Sequence, residues 1–321
     1  MVQVGYTLMC EQSGPRSLVE NAVRAEEVGF DFAVISDHFS PWLAEQGHSP
    51  FAWSVLAAAL EATDSLPFAT FVTCPTIRYH PAVVAQMAAT TELLAPGRFT
   101  LGLGAGENLN EHVVGRGWPP VHIRHDMLAE AVCLIRELWT GQQVTERGEH
   151  FPVDRAIIHD VPDSKPPIGI AASGRRSVGL AADLGDALIM VEPKADLVTR
   201  FRDGDGADKP VYGQLPISFD ADEARAARRA HEQFRWFGGG WAVNSELPTP
   251  RAFAAASSSV TESEVAASIP CGSDVDRVVE TVEAWRTAGF SHLALLQIGG
   301  DVQDEFLDWA AKELLPALAQ R

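Results

Sequence analysis

Apolar residues recur along this chain in two alternating rhythms. Short, nearly continuous apolar runs lie at 4–9 (VGYTLM), 32–35 (FAVI), 68–73 (FATFVT), 98–103 (RFTLGL), 167–171 (PIGIA), 187–191 (ALIMV), 210–215 (PVYGQL) and 292–298 (HLALLQI). Runs of this length without polar alternation predict strands covered on both faces. Between them the spacing becomes helical. Leu18, Ala22, Ala25 and Val28 share one face of 15–28, and Gly29 supplies the stop. Further helices are predicted near 51–62, 80–95, 122–140, 175–184, 221–236, 274–288 and 302–318. Within 274–288, Val275, Val278, Val279 and Val282 form an i, i+3, i+4, i+7 stripe.

Eight strand signals interleaved with helices predict an α/β chain folded as one (β/α)8 TIM barrel, with 1–321 as a single domain. A doubly wound open sheet is the alternative, although no GxGxxG follows the first strand. The stretch 233–270, with "FGGGWAVNSELPTP" inside it, is the least regular part and reads as a lid or βα insertion.

Charge narrows the partners. The 43 acidic and 25 basic side chains leave a formal net charge of −18. Such a surface disfavours nucleic acid and anionic membranes, so a small-molecule substrate is expected. No apolar run reaches the ~18–20 residues of a membrane helix. The first residues lack a basic segment followed by a long apolar one, so a cytoplasmic protein is expected. Cys10, Cys74, Cys133 and Cys271 show no CxxC spacing and read as buried free thiols in a reducing compartment.

Catalytic groups of a barrel come from the C-terminal ends of its strands. Cys10 and Glu11 follow the first strand. Ser36, Asp37 and His38 follow the second, with Trp42 one turn on. The third is followed by Cys74, Arg78 and Tyr79, and the fourth by "GAGENLNEH", with Glu107, Asn110, Glu111 and His112. A histidine after one strand is ordinarily a structural hydrogen bonder. A carboxylate at the same rim, Glu107, makes His38 a candidate proton-transfer group. The Ala171–Ala172–Ser173–Gly174 turn precedes a helix and could meet a phosphate, or could be a plain βα turn. The glycines of "GAG", ending at Gly106, suit close backbone approach to a flat ligand. "HIRH" at 122–125 lacks metal-ligand spacing, no metal site is expected, and there is no GxSxG elbow.

The stretches "SDHFSPW", "GHSPFAW", "TIRYHPAVVAQ", "GRFTLGLGAGENLNEH" and "GWPP" resemble the luciferase-like flavin and deazaflavin oxidoreductases. The branch they are most similar to contains the F420-dependent glucose-6-phosphate dehydrogenases. The likeness is strong over about residues 1–200 and weaker beyond. It implies F420 as cofactor, with FMN as the alternative in a luciferase-type monooxygenase, and a homodimer. It also implies roles for positions. Asp37 would bond the deazaflavin ring, His38 would take the alcohol proton, and Trp42 would pack by substrate and ring. Glu107 would hold the other side of the proton balance, and Glu11 the pocket floor. Phe71–Val72 falls where the family has a non-proline cis peptide beneath the ring. Cys74, Gly106, Asn110 and the 171–174 turn would line the ring and phosphate path.

Lys194, in "EPK", matches one member of the basic cluster that holds the sugar phosphate in that branch. The later members have no counterpart, and one lysine poorly replaces several charge-assisted donors to a dianion. Trp241, Val243, Pro248 and Pro270 stand there instead, so the expected substrate is a neutral or apolar alcohol or carbonyl and not glucose-6-phosphate. A relative that binds the cofactor without turnover is the third reading.

Overall fold

The computed structural model describes residues 2–320. Eight parallel strands close into a barrel: β1 (Gln3–Leu8), β2 (Phe32–Ile35), β3 (Phe68–Thr70), β4 (Phe99–Leu103), β7 (Ile168–Ala171), β8 (Ala187–Met190), β9 (Val211–Ile217) and β10 (His292–Gln297). The ring runs in chain order and closes where β1 pairs with β10, Gln3 opposite His292. The open-sheet alternative is excluded by that closure. The intervening pair, β5 (Val144–Glu146) and β6 (Val153–Ala156), is an antiparallel ribbon outside the barrel.

The helices expected from 3.6-residue spacing are present. They include α1 (Pro15–Val28), α2 (Ala52–Ala62), α3 (Pro81–Leu94), α5 (Val121–Leu138), α6 (Arg175–Leu184), α8 (Glu223–Phe234) and α12 (Val275–Thr287). Gly29 ends α1 in the left-handed region, where its N–H closes back on the last turn. The Asp274 carboxylate caps α12 by accepting from the amides of Asp276 and Arg277.

Four features depart from the sequence pattern. A helix, α7 (Ala195–Asp203), follows β8 where none was expected; only Leu197, Val198 and Phe201 bury, too few for a clear stripe. The helix expected over 302–318 is α13 (Gln303–Trp309), a π-helical stretch at 310–314 and α14 (Leu315–Ala319). Pro316 there carries no N–H for the α-helical ladder, which favours a wider turn. The third apolar run leaves the strand at Thr70, passes through a cis Phe71–Val72 bond and touches β4 again only through Thr73 and Leu103. Finally, Cys133 is exposed, whereas Cys10, Cys74 and Cys271 are buried and all four are free.

The β3–β4 contact sets the floor beneath the site. The Thr70 hydroxyl donates to the Gly102 carbonyl and accepts from the Gly102 amide, each at 2.9 Å. A Cβ on Gly102 would lie 1.9 Å from the Thr70 carbonyl oxygen, so only glycine permits this approach.

The 233–270 segment is more ordered than its composition suggests. A 3₁₀ turn at Phe237–Gly239 leads to α9 (Trp241–Asn244), α10 (Pro250–Ala256) and α11 (Glu262–Ser268). These helices carry their own apolar cluster, in which Trp236, Phe253, Val265 and Ile269 pack with Met9, Trp42 and Leu296 at the barrel mouth. The lid is thus seated on the C-terminal ends of the strands by burial of apolar surface. Among the described residues, no helix is long and apolar enough to cross a membrane.

Candidate active site

The strand ends bring Glu11, His38 and Glu107 together from β1, β2 and β4. The His38 Nδ1 lies 2.5 Å from Glu11, and its Nε2 lies 3.5 Å from Glu107. The first approach is a charge contact more than an aligned hydrogen bond, because Nδ1 meets no partner at good angles. The second oxygen of Glu11 accepts from the Ser36 hydroxyl at 2.5 Å, which in turn accepts from the Cys10 amide. Burial alone would pull the His38 imidazole down. The two carboxylates outweigh it and lift the group to about 9, while burial opposes and His38 drives a lowered Glu11. The imidazole of His38 is thus pulled toward its charged form between Glu11 and Glu107.

Trp42 stands edge-on to His38, with ring centroids 4.8 Å apart, and stacks on Trp236 of the lid at 4.1 Å. Its turn is stitched by Gln46, which accepts from the Trp42 amide and donates to the Gln233 carbonyl at the lid base. Asn110 ties the loops that follow β2 and β4 together. Its amide donates to Glu107 at 2.5 Å, and its oxygen accepts from the amides of Phe39 and Ser40.

Asp37 faces away from the chamber. One of its oxygens accepts from Arg78 and Tyr79, the other from Trp53 and Thr73. Both Asp37 oxygens are held by protein donors in a buried hub. All acceptor directions of Asp37 are engaged, and Arg78 needs its charge. Arg78 also approaches Glu111, whose burial raises it to about 7 despite the guanidinium.

A pocket opens beside this trio. Of the sequence candidates, Glu11, His38, Trp42, Phe71, Val72, Cys74, Gly106, Glu107, Ala171, Ala172 and Ser173 line it. Asp37, Asn110, Gly174 and Lys194 do not. The cis Phe71–Val72 bond lies on its wall, as does Gly104, whose added Cβ would fall 2.7 Å from Val72. Burial pushes the Cys74 thiol well up, so it is a neutral wall group. Gly174 is the residue preceding α6. Its amide and that of Ser173 both donate to the Ser177 hydroxyl, so two N–H groups expected to be free for phosphate are already engaged. Arg176, beside them, pairs with Asp126.

Lys194 sits on the rim and pairs with Glu192, which does line the pocket. No lysine or arginine is among the lining residues described. Of the four replacements expected to shape the substrate end, only Trp241 reaches the pocket; Val243 is exposed. Trp236, Phe237 and Asn244, which were not singled out by motif, also line it, as does His125 of the HIRH stretch. The tryptophan density of 236–241 is the one signal that could have marked them.

Comparison with known proteins places this geometry. The chain matches the luciferase-like monooxygenase family over residues 2–292. It is 35% identical to the F420-dependent glucose-6-phosphate dehydrogenase of Beutenbergia cavernae over 100% of this chain and 98% of that protein. It is 38% identical to the enzyme of the same name from Rhodococcus erythropolis, over 99% and 98%. A solved F420-dependent secondary alcohol dehydrogenase, in complex with an F420–acetone adduct, superposes with a TM-score of 0.90 at 30% identity, covering 99% of both chains. The tetrahydromethanopterin reductase of Methanopyrus kandleri, at 18% identity and a TM-score of 0.76, shares the fold.

Proposed function

The chain belongs to the luciferase-like monooxygenase family, and on that premise we propose that it is an F420-dependent oxidoreductase moving a hydride between the cofactor and the carbinol or carbonyl carbon of a small substrate. The observation that carries this reading is His38 held between Glu11 and Glu107 on the pocket wall. Alcohol oxidation releases one hydride from carbon and one proton from oxygen. His38 is the group placed to take that proton, and in carbonyl reduction to return it.

The pocket wall suits a flat ring system. Gly104 leaves room beside Val72, and Phe71, Val72, Ala171 and Ala172 offer apolar faces. When bound, F420 supplies the hydride acceptor at C5. The residues of this chain supply the rest. Glu11 and Ser36 orient the imidazole, Asn110 turns Glu107 toward it, and Trp42 fixes its edge. Trp42 and Trp236 are stacked and both buried, and Trp42 packs against the edge of His38.

The substrate is a neutral alcohol or ketone. The lining carries Glu11, Glu107 and Glu192 with no lysine or arginine, and the charge of Lys194 is matched by Glu192. A phosphate dianion would meet acids without charge-assisted donors. The test is F420 reduction, followed by its absorbance, with 2-propanol, cyclohexanol and glucose-6-phosphate in turn, and with FMN in place of F420 as a control. Turnover of a neutral alcohol with F420 is the expected result. Efficient turnover of glucose-6-phosphate would overturn the substrate class, and activity with FMN alone would overturn the cofactor.

A further inference from the structure

Arg124, at the start of α5, is 2% exposed, yet it lies outside the pocket and outside the proton-handling trio. Its Nη2 donates to Glu246 at 2.8 Å, and its Nε and Nη1 have no partner. Glu246 is thus the only ion-pair partner of this buried guanidinium among the described residues. The flat face of Arg124 lies 3.9 Å from the Trp118 ring, and the Trp118 indole N–H donates to the other oxygen of Glu246 at 2.9 Å.

Glu246 belongs to the lid, two residues past α9. The elements just before it carry Trp236, Phe237, Trp241 and Asn244 into the pocket wall. The same junction reaches the loop of the candidate catalytic carboxylate. Asn108, next to Glu107, donates its amide to the Ser245 carbonyl at 2.9 Å and its side chain to the Glu246 carbonyl at 3.0 Å. Gly106, on the pocket wall, backs onto Trp118. Three strands of contact therefore converge on residues 245–246 from the segment 106–124.

We infer that Glu246 is a positioning residue that latches the lid to the loop of Glu107 through Arg124 and Trp118, and so sets how tightly the chamber closes around its substrate. The physical reason is asymmetric. Glu246 is half exposed and can turn to water, whereas Arg124 cannot leave the interior, so lifting the lid strips a buried cation of its one counter-charge. That cost favours the closed lid without any contact between the latch and the substrate. The latch also makes lid seating and Glu107 placement a single event, because Asn108 connects them.

The test uses the full-length protein and four forms: wild type, Glu246→Gln, Glu246→Ala, and the double variant Arg124→Met with Glu246→Met. Hydrogen exchange over 236–247 is the first readout and needs no substrate. Exchange there rises in both single variants, more in Glu246→Ala, while the barrel strands stay protected. The double variant returns toward wild type, since removing both charges leaves no buried cation unpaired. The second readout rests on the F420 reading: KM for 2-propanol rises about tenfold in Glu246→Ala with kcat within about threefold, and the double variant recovers it. Unchanged exchange over 236–247 in the single variants overturns the latch. A lowered melting temperature with unchanged exchange and KM also overturns it, by reducing Glu246 to a stabilising contact. If no alcohol is turned over, the exchange arm still decides the latch, and the failure belongs to the functional reading alone.

Discussion

The imidazole Nδ1 of His38 lies 2.5 Å from a carboxylate oxygen of Glu11, and both side chains are at least nine-tenths out of solvent. An ion pair in that position determines which protonation state meets the substrate.

The direction of catalysis should therefore depend on pH in opposite senses. With His38 lifted to about 9, the neutral base needed for alcohol oxidation is scarce at pH 7. We expect kcat/KM for oxidation to rise with pH and level off above about 9, and kcat/KM for carbonyl reduction to fall over the same range. Glu11→Gln removes the nearer carboxylate and should move both limbs toward acid by about one unit or more. Parallel profiles for wild type and variant would exclude Glu11 as the cause.

Stability should follow the same linkage. The folded value of His38 is raised above its ordinary 6.5, so the pair's contribution is fully present below pH 6.5 and is lost as pH rises through about 9. Glu11 is lowered, so its contribution is present above its ordinary 4.5 and is lost as pH falls through the lowered value. The melting temperature of wild type should decline between pH 6.5 and 9, and Glu11→Gln should flatten that decline. Thermal unfolding across pH 5–10 checks the slope.

His38→Ala and Asp37→Asn are adjacent changes with different expected outcomes. His38→Ala should lower kcat by ~10²–10⁴ and leave F420 affinity near wild type. Asp37→Asn removes the charge that Arg78 faces at 3.0 Å inside the protein, and should destabilise by about 3 kcal/mol. Melting temperature and F420 fluorescence titration, measured on both, separate the two roles. A stable Asp37→Asn with weakened F420 binding would return Asp37 to the cofactor.

Gly104→Ala tests the wall beside the cis Phe71–Val72 bond. The new methyl would sit 2.7 Å from a Val72 methyl, and relieving that overlap costs about 1–3 kcal/mol. The Kd for F420 should rise about tenfold with little change in circular dichroism. Unaltered binding would show that Val72 can yield without disturbing the pocket.

The barrel was legible because its strands are buried on both faces and its helices carry clean stripes, as in 274–288. The helix at 195–203 was missed because Leu197, Val198 and Phe201 are surrounded by Asp196, Arg200, Arg202 and Asp203. The β5–β6 ribbon was missed because it is largely exposed and leaves almost no apolar signal. Strand-end logic picked out Glu11, His38, Trp42 and Glu107, which the fold brings to one pocket, since polar and aromatic side chains stand out against an apolar strand. It did not show that Asp37 would sit behind the pocket wall, because adjacent residues at a strand end point to opposite sides and sequence does not say which faces the cavity. Trp236 escaped because position within a lid depends on how its helices pack, which no local period encodes.

The proton-handling candidates of the chamber and much of its aromatic lining come from distant parts of the chain. Glu11, Ser36, His38 and Glu107 all precede residue 112, while Phe234, Trp236, Phe237 and Trp241 all lie within 233–270. On the proposed function, exchange of this one contiguous insert would alter much of the aromatic lining while leaving Glu11, His38 and Glu107 in place. A chimera carrying a relative's lid in place of 233–270 is the unit on which such divergence would operate, provided that the incoming lid brings its own acid for Arg124.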